Sequence, residues 1–118
     1  MSYASFEKLE VWKRACQLNV NVYGIFRECR DYSYRDQITR AALSIPSNIA
    51  EGAERDSAKE YKRFLFIAKG SAGELRTQIY LAQKIGLIDS DTAKPITNEL
   101  KEISKMLHGL IHKVIDND

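Results

Sequence analysis

The stretch SAKEYKRFLFIAKGSAGELRTQIYLAQKIG, residues 57–86, decides the fold. Tyr61, Phe64, Leu65, Ala68, Ala72, Leu75, Ile79, Ala82 and Ile85 recur at helical spacing for seven turns, the period of a one-sided α-helix. Ser57 with Glu60 three residues on makes a capping box that starts this helix, and Gly86 is a natural stop. Leu87 and Ile88 should pack back on its last turn. A helix of this length must bury its apolar stripe against partners, so the flanking sequence has to supply them.

It does so on both sides. Downstream, Asp89 or Ser90 caps a helix in which Ile96, Leu100, Ile103, Leu107, Leu110 and Val114 follow at spacings of 4, 3, 4, 3 and 4, although Pro95 leaves its first turn open. Upstream, Ser33 as N-cap, with Asp36 in the capping-box position, predicts a helix from about Tyr34 to Glu51. It places Ile38, Ala41, Ala42, Ile45 and Ile49 inward and carries Pro46, which predicts a kink or local break. The first helix should run from about Leu9 to Arg30. Trp12, Ala15, Cys16, Tyr23 and Phe26 form its apolar face, broadened by Leu18, Val22 and Ile25. Four such helices joined by short polar breaks predict an all-α, antiparallel up-down four-helix bundle in a single domain, residues 1–118.

Composition agrees. The chain has 118 residues, 44% of them hydrophobic and 29% charged, which excludes wholesale disorder and leaves room for one small core. Six Gly and two Pro are too few for the turns of a β-sandwich. Cys16 and Cys29 would stand about 20 Å apart along one helix, too far for a disulfide, so two free thiols in a reducing cytoplasm are expected. No signal-like run and no span of about 20 apolar residues occurs, so no membrane role is expected.

The net charge is only +2, yet charge is unevenly spread. Residues 57–86 hold six cations against two carboxylates, a balance of +4; residues 87–118 hold four against six, a balance of −2. Arg55, Lys59, Lys62, Arg63 and Lys69 lie close together in sequence with Tyr61 and Phe66 interleaved. Such a set can neutralise phosphates and stack on unpaired bases, or it can be a solvated helix face. Phe66 and Ile67 fall off the main stripe and suggest a second contact surface, hence self-association.

The second helix has a polar stripe, Gln37, Arg40, Ser44, Asn48, Glu51 and Arg55, about 110° from the centre of its apolar face. It reads either as a hydrogen-bonded seam, with Asn48 and Ser44 satisfying backbone freed by Pro46, or as a ligand surface carrying Arg40 and Arg55. Gly70-Ser71-Ala72-Gly73 in mid-helix reads as a site of close helix approach; it lacks the strand and the Gly-Lys-Ser/Thr ending of a phosphate loop.

Catalytic signals are weak. His108, His112 and Asp116 share a helical face but lack the Glu of HExxH, so no metal and no cofactor are expected. No Gly-x-Ser-x-Gly elbow occurs, and Glu51, Glu54 and Asp56 read as caps and ion-pair partners. No Arg lies near either His, as it does in bundle-type ribonucleases. The chain is therefore expected not to be an enzyme.

Three strings are familiar. Phe6-x-x-Leu9-x-Val11-Trp12-x-x-Ala15 opens the chain, and Gln37-Ile38-x-Arg40-Ala41-Ala42-x-Ser44-Ile45-Pro46-Ser47-Asn48-Ile49-Ala50-Glu51-Gly52 follows. Phe64-Leu65-x-Ile67-Ala68-x-Gly70-Ser71, with Glu74-Leu75, completes them. Together they resemble the four-helix bundle family encoded in intervening sequences of bacterial 23S rRNA genes. That family includes proteins similar to the accessory variability determinant of diversity-generating retroelements. The resemblance implies a homopentameric assembly with a basic nucleic-acid-binding surface and, in retroelements, a reverse transcriptase as partner. It marks Arg40, Ser44, Pro46, Asn48, Glu51 and Gly52 as signature positions. The expected function is a non-enzymatic, self-associating nucleic-acid-binding protein, RNA being favoured over DNA, with Arg55, Lys59, Lys62, Arg63 and Lys69 on phosphate. The alternative is a scaffold or accessory subunit that recruits a protein partner such as a reverse transcriptase.

Overall fold

The computed structural model describes residues 5–114 and contains four α-helices: α1 Glu10–Phe26, α2 Tyr32–Ala53, α3 Ala58–Lys84 and α4 Ser90–Lys113. A short 3₁₀ turn, Phe6–Lys8, capped by Ser5, precedes them, and its Phe6 ring meets Trp12 edge-on at 5.2 Å. No strand occurs among the described residues. Each helix packs on its neighbour in sequence, and α1 closes the ring against α4. With short connections this is the up-down arrangement. The bundle measures 48 × 21 × 20 Å, and its 27-residue helix α3 spans most of the long axis, about 40 Å at 1.5 Å per residue.

Helix α3 forms as its sequence dictates. Ser57 Oγ accepts the Glu60 N–H at 3.0 Å, but the box is only half made, because the Glu60 carboxylate turns to Arg63 instead. Gly86 adopts φ +84°, its N–H donating to the Gln83 carbonyl and that of Leu87 to the Ala82 carbonyl. This double closure leaves Leu87 and Ile88 packed back on the core, while Ile85 is exposed rather than on the stripe. Asp89 caps α4 by accepting the Thr92 N–H at 2.8 Å, and the helix accommodates Pro95 at its sixth residue. Ile111 joins the buried α4 stripe and Leu110 is half-buried.

Two elements differ from expectation. Helix α2 starts two residues early because Asp31, not Ser33, is the cap, its carboxylate accepting the Tyr34 N–H. It then runs unbroken through Pro46, which is buried. Helix α1 ends at Phe26 and buries Val11, Ala15, Leu18, Val22 and Phe26, at spacings of 4, 3, 4 and 4, so the expected face holds except at Tyr23 and Ile25. Tyr23 is 60% exposed and Ile25 also faces out. The core is mainly aliphatic, with Leu65, Leu75, Ile79, Leu100, Ile103 and Leu107 inaccessible along the α3–α4 axis.

Candidate nucleic-acid interface

The polar stripe of α2 meets α3 edge to edge. Ser44 Oγ lies 2.9 Å from Ser71 Oγ, and Asn48 Nδ2 donates to both the Ser44 carbonyl (2.8 Å) and the Ser44 hydroxyl (2.9 Å). The carbonyl that Pro46 frees is one turn back, at Ala42, so Asn48 bonds a different backbone group from the one expected. Gly52 packs directly on α3: a Cβ there would stand 2.7 Å from Phe64 Cβ and 3.2 Å from the Tyr61 carbonyl oxygen. Ser44, Pro46, Asn48 and Gly52 are thus occupied in joining α2 to the bundle. Arg40 is different. It is exposed, makes no ion pair among the described residues, and lines a hollow of about 200 Å³ with Gln37, Ser44, Glu74 and Gln78. The Gln78 Oε1 atom is buried there without a partner.

The five cations expected on phosphate divide by their partners. Arg55 and Arg63 flank the Phe64 ring, their guanidinium carbons 4.8 and 4.6 Å from its centroid. Each is held by a carboxylate, Arg55 by Glu51 at 3.0 Å and Arg63 by Glu60 at 3.1 Å. The Arg63 hydrogen bond keeps the Glu60 carboxyl below the usual range and raises Arg63 in return. Their charge is balanced on the spot. Lys59, Lys62 and Lys69 take part in no ion pair among the described residues.

Lys62 and Lys69 instead belong to a stripe with Arg76, at i, i+7 and i+14, on the flank of α3 beside α4. Lys69 Nζ reaches His108 Nδ1 of α4 at 3.2 Å. An ammonium only donates, so Nδ1 is the acceptor in this contact. His108 in turn stands 4.3 Å, ring to ring, from His112, whose Nδ1 bonds the His108 carbonyl. On α4 these two imidazoles continue a stripe with Lys101 and Lys105, spaced 4, 3 and 4. Helical spacing puts Lys62, Lys69, Arg76, Lys101 and Lys105 on the two flanks that meet at the Lys69–His108 contact, and among the described residues Glu102 pairs with Lys105 at 3.7 Å. Two other carboxylates, at the cap and in mid-helix, look elsewhere. Asp89 caps the helix, and Glu99 grips Arg14 of α1 through a two-point bond that includes Arg14 Nε at 2.8 Å. Summing charge along the sequence hid this face; a helical projection of Lys101 to His112 would have shown it.

The family model for 23S rRNA-intervening sequence proteins matches residues 7–109. The chain belongs to the 23S rRNA-intervening sequence protein family. Among solved structures it is similar to a protein of unknown function from the S23 ribosomal protein family of Bacteroides thetaiotaomicron, with 26% identity and a TM-score of 0.81 over 86% of this chain and 97% of the other. Among curated proteins none matches. In this family member, the match covers all four helices except the last residues of α4.

The remaining features carry little chemistry. Cys16 and Cys29 are free thiols, and burial pushes the Cys16 thiol up, away from the reactive thiolate. Gly70 and Gly73 meet nothing within 4 Å of a Cβ, so the close helix approach expected of them does not occur within the protomer. Beside them Phe66 is 56% exposed and Leu81 also faces out. Asp116, the third member of the histidine set, lies outside the described residues; among those described, no group of three metal-ligating side chains comes together. No described helix is long and apolar enough to cross a membrane.

Proposed function

We propose that this chain is a non-enzymatic, self-associating RNA-binding protein whose phosphate-contacting surface is the α3–α4 seam. The supporting observation is the Lys69–His108 contact, which joins two basic helix stripes along one flank of the bundle. Lysines spaced along a bundle axis neutralise backbone phosphates and read no base edges, so affinity without sequence preference follows. The family description, which names 23S rRNA intervening sequences, favours RNA over DNA. Self-association fits the outward face of α3, where Phe66 and Leu81 flank two glycines that no neighbour within the protomer explains. Symmetric copies would multiply the basic seam, and five is the count the sequence resemblance implies.

The test is a titration of a 23S rRNA fragment by fluorescence anisotropy at about 50 mM salt and again near 200 mM. The proposal expects tight binding that weakens by orders of magnitude as salt rises. Lys62→Glu with Lys69→Glu should abolish it while the circular dichroism of the bundle is retained. Absence of binding at low salt overturns the reading. A protein partner that survives both nuclease and charge reversal would favour the scaffold alternative.

A further inference from the structure

The exposure of Tyr23 opens a second surface on the other side of the bundle. Between α1 and α2 run two adjoining hollows of about 340 and 430 Å³ that share Tyr23 and Asp36. Arg27 and Arg35 line the first, and Arg40 with Asn19 lines the second. The Tyr23 ring, 60% exposed, stands where they meet, and its phenol makes no hydrogen bond among the described residues. Arg35 is anchored, its Nε on Asp36 Oδ1 at 3.1 Å and its guanidinium 4.7 Å from the Tyr32 ring centroid. Arg27 and Arg40 carry no ion pair among the described residues.

The composition of this groove differs from that of the α3–α4 seam. Three arginines and no lysine line it, and a guanidinium both grips a phosphate through two N–H groups and stacks on a flat ring. An aromatic face midway between cations is the arrangement that holds unpaired bases. Three cations against the one carboxylate of Asp36 make the groove complementary to an anionic chain, while Asp36 Oδ2 keeps an acceptor for a base amino group or a ribose hydroxyl. The hollows are of small-ligand size, which suits a nucleotide and not a duplex.

We infer that the α1–α2 groove holds an unpaired nucleotide of single-stranded RNA, its base on the Tyr23 ring and its flanking phosphates on Arg27 and Arg40. This rests on the RNA-binding reading above and adds to it a site that distinguishes single strands from duplexes. In that division the α3–α4 seam supplies affinity for either form, and Tyr23 supplies the preference for the unpaired one.

The experiment measures anisotropy of a labelled, non-self-complementary RNA 12-mer and of the duplex with its complement, using the wild-type chain, Tyr23→Ala and Tyr23→Phe. Losing one base–ring stack should weaken single-strand binding about tenfold in Tyr23→Ala, while duplex affinity stays within about twofold. Tyr23→Phe, which keeps the ring, should bind both as the wild type does. Unchanged single-strand affinity in Tyr23→Ala, or an equal loss on the duplex, overturns the groove and leaves the RNA-binding reading intact. Wild-type protein that binds neither form overturns both. Displacement of the 12-mer by polyglutamate at matched charge, equally in wild type and Tyr23→Ala, overturns base recognition in favour of an acidic peptide.

Discussion

Replacing Gly52 by alanine adds one carbon at the joint between α2 and α3, and the structure says what that carbon meets. Its Cβ would stand 2.7 Å from Phe64 Cβ, short of the 3.4 Å lower bound of ordinary contact by 0.7 Å, and 3.2 Å from both Tyr61 Cδ1 and the Tyr61 carbonyl oxygen. Phe64 Cβ and the Tyr61 carbonyl are fixed to the α3 backbone, so no rotamer change relieves the clash; the helices must separate. Overpacking of this kind costs about 1–3 kcal/mol, and a backbone collision belongs at the upper end. Alanine returns at most about 1 kcal/mol through helix propensity. The net loss is about 2 kcal/mol, a fall in Tm of about 8 °C for a domain of this size. Gly24→Ala is the internal control: a Cβ there meets nothing within 4 Å, so the propensity gain stands alone and Tm should rise by about 4 °C. Thermal denaturation followed by circular dichroism reads both. If Gly52→Ala melts at or above the wild type, the close approach of α2 to α3 is wrong and the string ending in Gly52 needs another explanation.

Asn48→Ala removes the two bonds that tie its amide to Ser44 and should cost about 1–2 kcal/mol in urea denaturation, with Ser71→Ala costing less because Ser44 keeps its Asn48 partner. Hydrogen bonds from the Thr92 side chain and backbone hold the Asp89 carboxyl below its usual value, so the folded chain binds that proton more weakly than the unfolded one. The stability it adds is present above the ordinary carboxylate range and lost as pH falls through it; Asp89→Asn should therefore flatten the acid side of the Tm–pH profile. Gly73→Ala should stabilise an isolated protomer by about 1 kcal/mol, but if α3 packs on a second copy it should lower the mass measured by sedimentation.

What could be read from the sequence depended on whether one physical signal acted alone. In α3 the Ser57 cap, the apolar stripe and Gly86 all agree, and the helix stands where they put it. In α1, apolar residues lie nearly all round the helix; with Val20, Tyr23 and Ile25 outside and Val11, Leu18 and Val22 inside, periodicity could not choose the face. That ambiguity matters, because an inward Tyr23 leaves no α1–α2 groove to find. At the start of α2 two capping residues compete, and Asp31 wins from a position two residues upstream of Ser33. The cations scatter for a different reason. Arg55 and Arg63 are neighbours of Lys59 and Lys62 in sequence, but helix geometry sends them to Phe64 and to carboxylates, while Lys69 finds His108, 39 positions away.

The central claim is that the α3–α4 seam, and not the arginines at the α2–α3 joint, holds RNA phosphate. The slope of log affinity against log salt measures it directly, because each phosphate that a side chain no longer neutralises lowers the slope by about 0.7–0.9. Lys69→Ala and Lys101→Ala should each reduce the slope by about that amount, and Arg55→Ala and Arg63→Ala should leave it unchanged. Equal slopes for the two lysine variants and the wild type, with a reduced slope for the arginine variants, would contradict the account.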